Sequence, residues 1–368
     1  MEKILFIGTY PPKVNGQSLM FKFLYDNYDQ PKELVNLSIV SSTKISKIIF
    51  TSSLFFKYLR LRFFTPDFGI IYLSGAVSVA GMLKDAVLLS LFYHTKVPII
   101  NHLHGSYLAH SLQNAPSLLG SWYRLVYKRI DVYVALLPKM AEGIKPILAT
   151  HQRVCVVPNS YDDSLNTLPL TRKMITKPVR LLYLSNLMYS KGLTFLLDAV
   201  DILAADGLNF ELVIAGAYMD EYQTEKAFSA NDMQIFVEGY LRKYSNLSYI
   251  GLVTGQEKLD LLANSDVFVL PTFYPGESQP LSIIEAMRAG NAIITTEHNY
   301  LIDMITDENG RLVAIKNAAS LANAINELAG DPTYLHHIQN HNIAQAINLY
   351  DSPIHLAAMN RIFETLNS

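Results

Sequence analysis

The stretch that decides the fold is Asp266-Val-Phe-Val-Leu-Pro-Thr-Phe-Tyr-Pro-Gly-Glu277-Ser-Gln-Pro-Leu-Ser-Ile-Ile-Glu285-Ala-Met-Arg-Ala-Gly290, followed by Asn-Ala-Ile-Ile-Thr-Thr-Glu297. Val267 to Leu270 is a short apolar run of buried-strand type, Pro271 to Gly276 is loop, and Pro280 suits the first position of a helix, where its missing N–H costs nothing. The order is strand, loop, helix, strand. A helix beginning near Pro280 carries Glu285 on its second turn, roughly 7 Å further along the axis, while Glu277 stays in the preceding loop. Between the two carboxylates lie Ser278, Gln279, Pro280 and Leu281 and the free amides of the first helical turn, where dipole and N–H groups both favour phosphate. One carboxylate can then hold hydroxyls on one side of a pyrophosphate and the other those on the far side, which is the layout a nucleotide-sugar needs.

Working outward, 368 residues exceed one ordinary core and point to two domains. Half the residues are apolar and only 17% are charged, enough for large buried sheets. The single cysteine, Cys155, excludes an internal disulfide and fits a reducing cytoplasm. The opening Met1-Glu-Lys3 and its short apolar run, ending at Pro11-Pro12, read as a first strand rather than a secretory signal. Ser74 to Tyr93 is apolar but broken centrally by Lys84-Asp85, and reads as a buried helix rather than a membrane span. Net charge is −2, yet residues 1–170 hold 17 basic against 10 acidic side chains and the remainder 13 against 22, so a basic domain precedes an acidic one. The basic half has no compact Arg-rich run, which disfavours a nucleic-acid partner.

Lys3 to Thr9 reads as a strand, the loop from Tyr10 to Gln17 contains Gly16, and a helical pattern follows through Leu19, Phe23 and Leu24. There is no G-x-G-x-x-G, so a dinucleotide site is unsupported. Strands at 33–40, 68–74, 97–104 and 131–136 alternate with helices at 44–64, 76–93 and around 118–129, which argues for a parallel sheet with ligands at the carboxyl ends of its strands. His104 falls at such an end. Arg153 to Pro158 follows, and Thr167 to Pro178 reads as the interdomain linker. Strands at 179–184, 210–216 and 246–251 and helices near 193–203, 257–265 and 318–328 frame the opening stretch, and a last helix follows Asp351-Ser-Pro353. Lys191, beside Gly192 in the loop after the first of these strands, is a good counter-ion for phosphate.

These residues together resemble the retaining glycosyltransferases of family 4, whose E-x7-E region continues Glu-Ala-Met-x-Ala-Gly as Glu285 to Gly290 do here. The resemblance covers nearly the whole chain and is strongest from Leu181 to Val313. It implies the α/β GT-B fold, two Rossmann-like parallel-sheet domains facing a cleft: residues 1–170 on the acceptor side, with helix 352–368 packing back on them, and residues 178–351 for the nucleotide-sugar. By resemblance Glu277 lies at the donor sugar, Glu285 at the ribose, Lys191 at the diphosphate and His104 near the sugar, while Gly16 lets backbone approach the substrate. The family's Gly-Arg-Leu-x-x-x-Lys-Gly keeps only its lysine here, with Asn186 in the arginine position; Asn15 stands for a usual glycine, Ser160 for another in Val157-Pro-Asn-Ser-Tyr-Asp162, and Ala217-Tyr218 departs from Gly-x-Gly.

The reaction so implied moves a sugar from a nucleoside diphosphate, UDP before GDP or ADP, with retention of configuration, to a lipid-linked saccharide in cell-surface polysaccharide synthesis. No Asp-x-Asp occurs and the histidines form no metal-ligand set, so no essential metal or other cofactor is expected. Two rivals stand beside this reading: another GT-B enzyme such as a nucleotide-sugar epimerase or a phosphorylase, and a non-catalytic nucleotide-sugar-binding protein. The segment 44–64 has a further feature. From Leu34 to Pro66 there is no acidic residue, while Lys44, Lys47, Lys57, Arg60 and Arg62 alternate with apolar side chains at positions 45, 48, 49, 55, 56, 59 and 63, Ser52 being the polar member of the stripe. Such a helix either packs this stripe on its own sheet or lies on an anionic membrane surface, which would place the protein at the inner face of the cell membrane.

Overall fold

The computed structural model describes residues 3–12, 15–38, 44–64, 68–76, 79–105, 108, 112, 117–172, 174, 178–221 and 228–367. Contacts divide the chain into two compact units, Met1–Asn159 with Pro353–Ser368, and Ser160–Ser352. In the first unit the strands are β1 (Lys3–Gly8), β2 (Lys32–Asn36), β3 (Phe68–Ser74), β4 (Ile99–His102), β5 (Val132–Ala135) and β6 (Arg153–Val156). They form one parallel sheet in the order β2-β1-β3-β4-β5-β6. Parallel strands covered on both faces are apolar throughout, and every residue of β3 is buried.

The described helices of this unit are α1 (Gly16–Asp26), α2 (Lys44–Phe64), α3 (Val79–Leu91), α4 (Ser117–Val126) and α5 (Pro138–Ile144). Asn15, in the place of a family glycine, is the N-cap of α1: its side chain accepts the Ser18 amide at 2.9 Å, and the Ser18 hydroxyl accepts the Asn15 amide at 2.9 Å. That reciprocal pair satisfies two donors that a helix start leaves over. Within the 74–93 segment α3 spans Val79–Leu91, with Met82, Ala86, Leu88 and Leu89 buried. Among the described residues no helix is long and apolar enough to cross a membrane.

Helix α2 has the boundaries expected of it, but it packs through Leu54, Tyr58 and Leu61, at i, i+4 and i+7. The stripe read from the sequence is turned outward instead: Ile49, Phe56 and Phe63, seven residues apart, are 63%, 67% and 64% exposed. The side chains of residues 44–48, including Lys44 and Lys47, lie outside the described residues.

The second unit holds β7 (Val179–Leu184), β8 (Phe210–Ala215), β9 (Leu247–Tyr249), β10 (Val267–Leu270), β11 (Ala292–Thr296) and β12 (Gly310–Val313), all parallel, in the order β12-β11-β10-β7-β8-β9. Its helices are α6 (Leu193–Ala205), α7 (Ala230–Lys243), α8 (Gly255–Asn264), α9 (Leu281–Arg288), α10 (Ala318–Gly330) and α11 (Pro332–Tyr350). The order is that of a Rossmann sheet, which reverses direction between its first and fourth strands, here β7 and β10. Pro280 is the N-cap of α9 rather than its first helical residue, and the helix opens at Leu281.

Two charged clusters fix this reversal. Asp266, fully buried at the start of β10, accepts the Arg180 amide at 2.9 Å and the Arg180 guanidinium at 2.9 and 3.1 Å, with Arg172 at 3.4 Å. Arg288, also buried, donates to the carbonyls of Leu168 and Pro169, so residues 160–172 are tied to the second unit. Residues 173 and 175–177 of the expected linker lie outside the described residues.

The last helix, α12 (Ser352–Asn367), contributes Met359, Ile362 and Phe363 to the core of the first unit. Phe363 meets the rings of Phe6, Tyr28 and Tyr72 at centroid distances of 6.2, 5.4 and 6.1 Å. Replacing Phe363 by Ala should therefore lower the stability of the first unit by about 3–5 kcal/mol, the usual cost of emptying an aromatic site. In urea unfolding followed by probes in each unit, the first unit's midpoint should fall and the second's stay; unchanged midpoints would show that the helix is dispensable to that core.

Candidate nucleotide-sugar site

In an open parallel sheet, two loops leave adjacent strands at the reversal point toward opposite faces, and the crevice between them takes ligand. Here those loops follow β7 and β10. The first runs from Ser185 through a single 3-10 turn, Tyr189–Lys191, and ends at Gly192, whose φ of +79° is the left-handed region that side chains avoid. Space imposes glycine as well: a Cβ at 192 would sit 2.0 Å from the carbonyl oxygen of Pro271 in the second loop. The loops are sewn together by the Phe273 amide, which donates to Ser190 O at 2.7 Å.

The sewing delivers Lys191 to Glu277. Its ammonium lies 2.6 Å from Glu277 Oε2 and 4.9 Å from the Tyr274 ring centroid. The same carboxylate oxygen accepts the Thr272 hydroxyl at 2.8 Å. From the next strand end, Asn299 donates to the carbonyls of Pro275 and Glu277 at 3.0 and 3.1 Å, and the His298 ring meets Tyr274 O at 2.9 Å. Behind the first loop, buried Glu221 accepts the Ser190 amide at 2.8 Å. Glu221 is a positioning residue that sequence reasoning missed, because the chain there departs from the family's glycines and a lone glutamate carries no signal.

Ser278 and Gln279 are buried, Pro280 and Leu281 partly so, and they lead into α9, whose first amides have no acceptor inside the helix. Glu285 is buried one turn further and pairs with Lys258 of α8 at 2.7 Å. Burial pushes the Glu285 carboxyl up from its ordinary value, Lys258 opposes that, and Asp162 adds to it. Lys258 was not legible either, being one lysine in a short helix. Asn186 is exposed on the same loop as Lys191, and its carbonyl accepts the Tyr183 hydroxyl. Thus the second unit joins Lys191 to Glu277 directly, and brings Glu285 a second cation. Among the described residues, no group of three or more His, Cys, Asp or Glu could hold a metal ion.

The remaining expected residues lie in the first unit. Gly16 is the exposed first residue of α1, and the adjoining Gln17 donates to Ser74 Oγ at 3.0 Å and Gly75 O at 2.9 Å, at the end of β3. His104 follows β4 and belongs to a cluster of histidines. Its ring centroid is 4.3 Å from that of His102, which stacks on His355 of α12 at 6.2 Å. His102 Nδ1 is 2.6 Å from the Tyr72 hydroxyl, and His355 Nδ1 is 2.7 Å from Pro158 O.

Residues 178–331 match the family described as Glycosyl transferases group 1. The amylovoran biosynthesis glycosyltransferase AmsK of Erwinia amylovora is 26% identical over 156 residues, 41% of this chain and 36% of that protein. The phosphatidyl-myo-inositol mannosyltransferase of Mycolicibacterium smegmatis is 26% identical over 179 residues, 48% of this chain and 42% of that protein. The matches therefore span less than half of either relative. HepE of Anabaena, solved in complex with UDP-glucose, superposes with a TM-score of 0.68 at 17% identity, covering 100% of this chain and 99% of that one. The fold is GT-B. Its second Rossmann unit carries the family match, and the paired lysine and glutamate stand at the strand reversal of that GT-B unit.

The histidine cluster of the GT-B first unit predicts a pH response. Burial, with the neighbouring imidazoles, holds His102 well below its usual value and His104 down to about 3, and burial also lowers His355. The folded unit thus binds fewer protons than the unfolded chain below the ordinary histidine range near 6.5, so this stability is present above that pH and is lost as pH falls through it. Asp85, raised by burial to about 7, acts oppositely in the same window, but as one group against three. Between pH 7 and 5 the first unit's unfolding midpoint should fall, with a slope of about 1.4 kcal/mol per pH unit for each uncompensated proton. His355→Gln should reduce that slope; an unaltered slope would contradict the assignment.

Proposed function

We propose that this chain is a retaining glycosyltransferase of family 4 that moves a sugar from a nucleoside-diphosphate-sugar, preferably a UDP-sugar, to a lipid-linked saccharide in cell-surface polysaccharide or glycolipid synthesis. The observation that carries the reading is the meeting of Lys191 and Glu277 at 2.6 Å over the reversal of the second sheet. A cation and a carboxylate held this close, beside the start of α9, offer the two halves of a sugar diphosphate what each needs. Lys191 and the helix amides neutralise the departing diphosphate, so no metal is required for that step. Glu277 orients the donor sugar through its hydroxyls, and Glu285 takes the ribose hydroxyls. The acceptor attacks from the face that the diphosphate leaves, and the diphosphate receives the acceptor's proton. No enzyme nucleophile is needed.

The family match over the second unit supports sugar transfer, and the likeness to a structure holding UDP-glucose supports the donor class. The missing family arginine at Asn186 leaves Lys191 to carry the diphosphate charge, with Lys258 as the further cation of this unit. For the acceptor, support comes from α2. Its outward stripe of Ile49, Phe56 and Phe63, the exposed Arg60, and the absence of any acidic residue on the helix suit peripheral docking on anionic lipid. At about 1 kcal/mol per basic residue near such a surface, the cations of 44–64 suffice for reversible binding at the inner membrane face. The mannosyltransferase relative is named for a phosphatidylinositol substrate, in line with a glycolipid acceptor.

Calorimetry separates the two glutamates. Glu285→Ala should weaken UDP and UDP-sugar alike by about 1.5–3 kcal/mol, the cost of a charge-assisted hydrogen bond. Glu277→Gln should bind UDP almost normally and lose turnover. The reverse pattern would exchange or remove the assigned roles.

A further inference from the structure

Helix α8 buries Leu259 and Leu262 and packs against β7 and the 3-10 turn Asp163–Thr167. Lys258, the residue before Leu259, is thereby carried to the edge of the buried face. Its side chain is 21% exposed, and its ammonium lies 2.7 Å from Glu285 Oε1 of α9, whose side chain is 8% exposed. A carboxylate at that depth keeps its charge only against a partner, because burial favours the protonated form.

The charges around this pair are few. Asp162, exposed at the N-cap of the 3-10 turn, accepts the Ser164 amide at 2.9 Å and lies within electrostatic reach of both Lys258 and Glu285. The other acids of α8, Glu257 and Asp260, are exposed. Arg288, one turn on from Glu285 in α9, is turned to the carbonyls of Leu168 and Pro169 at 3.3 and 3.5 Å. Beneath α9, β10 and β11 carry no charged side chain. The one titratable residue on the buried face of α11 is Tyr350, whose hydroxyl burial pushes up to about 12. Among the described residues, then, Glu285 answers to burial, which raises its carboxyl, to Lys258, which lowers it, and to Asp162, which raises it.

A ribose offers two hydroxyl donors, and an ionised carboxylate accepts both more strongly than a protonated one does. We propose that Lys258 is a positioning residue that keeps Glu285 ionised for those hydroxyls, and that Lys258 and Asp162 together set the lower pH limit of nucleotide-sugar binding. The inference rests on the ribose role given to Glu285 above and adds the residues that govern it from outside the ligand's reach.

The test is calorimetric titration of the full chain with UDP-glucose, whose diphosphate is esterified at both ends and does not itself titrate, from about pH 8 to about pH 5. Affinity should fall by up to about tenfold as Glu285 takes up a proton, the difference between a charge-assisted and a neutral hydrogen bond. Lys258→Met should bring that fall to higher pH, and Lys258→Arg should restore the original profile. Asp162→Asn, a change at an exposed residue that preserves the cap, should retain affinity to lower pH, and Glu285→Gln should remove the pH response. Lost packing would instead lower affinity by one factor at every pH, so profiles that move in neither Lys258→Met nor Asp162→Asn would overturn the inference. The Glu285 carboxyl is also followed without ligand, through its carboxyl carbon resonance, assigned by its loss in Glu285→Gln. The two opposite displacements there, in a chain that does not bind UDP-glucose, would sink the donor reading alone; a resonance that titrates identically in all three chains would overturn the inference whatever the ligand does.

Discussion

The candidate site depends on one close approach, that of Gly192 to the carbonyl of Pro271. Adjacent parallel strands at a sheet reversal send their loops to opposite faces, and such loops usually diverge. Here any side chain at 192 would collide with backbone, and a positive φ is required as well. The left-handed conformation alone costs a non-glycine residue about 1–2 kcal/mol. With glycine in place, the Ser190–Phe273 hydrogen bond closes, and Lys191 and Glu277 are brought to 2.6 Å without either loop being long. Deeper in the same two strands, the Asp266–Arg180 pair fixes β10 against β7, so the loops start from a rigid base.

Charge is buried around this base at considerable cost, and geometry decides whether the cost is met. Asp266 has its carboxylate fully engaged by a backbone amide and two guanidinium groups. Glu285 is in a different position: among the described residues Lys258 is its one close cation, and burial pushes its carboxyl up against that pairing. Removing one partner of such a pair usually costs about 3–5 kcal/mol, because a lone charge stays behind in a poor solvent. A carboxylate kept under that pressure gains from new donors, and the hydroxyls of a ribose would supply them. Under the proposed function Glu277, held by Lys191 and Thr272, would exchange a cation for sugar hydroxyls in the same manner.

The fold was legible where periodicity and length agreed. Most strands of both sheets, among them the one at 68–74, and the helix at 44–64 follow from apolar runs alternating with helical patterns, while β12 was not read as a strand. Helix α11 was not legible, because amides share its buried face with Leu335, Ile338, Ile343, Ala346 and Tyr350. Buried Gln339 donates to Asp266 O at 3.0 Å, and buried Asn342 donates to Asn291 O at 2.7 Å and Asn309 O at 2.9 Å. Polar residues on the buried face blur the 3.6-residue hydrophobic signal. The shorter α5 and the capped α7 also went unread. For α2 the sequence offered one stripe with two uses, on its own sheet or on a membrane; packing through Leu54, Tyr58 and Leu61, a face that was not read, leaves that stripe outside. In the site, residues with a spacing or a neighbouring glycine were readable, namely Lys191, Glu277 and Glu285. Their supports, Glu221 and Lys258, come from distant segments and become visible only when the strands are paired.

The central claim is that the second unit binds a nucleoside-diphosphate-sugar between Lys191–Glu277 and Glu285. The most direct measurement is a thermal-shift titration with UDP-, GDP- and ADP-sugars, since a ligand that binds only the folded state adds about 2.7 kcal/mol at one hundred times its dissociation constant. At least one of these donors, UDP-sugars first, should raise the melting temperature in a saturable way, and the rise should vanish in Lys191→Ala. Melting curves that none of the donors moves at millimolar concentration, or a shift that survives Lys191→Ala intact, would contradict the account.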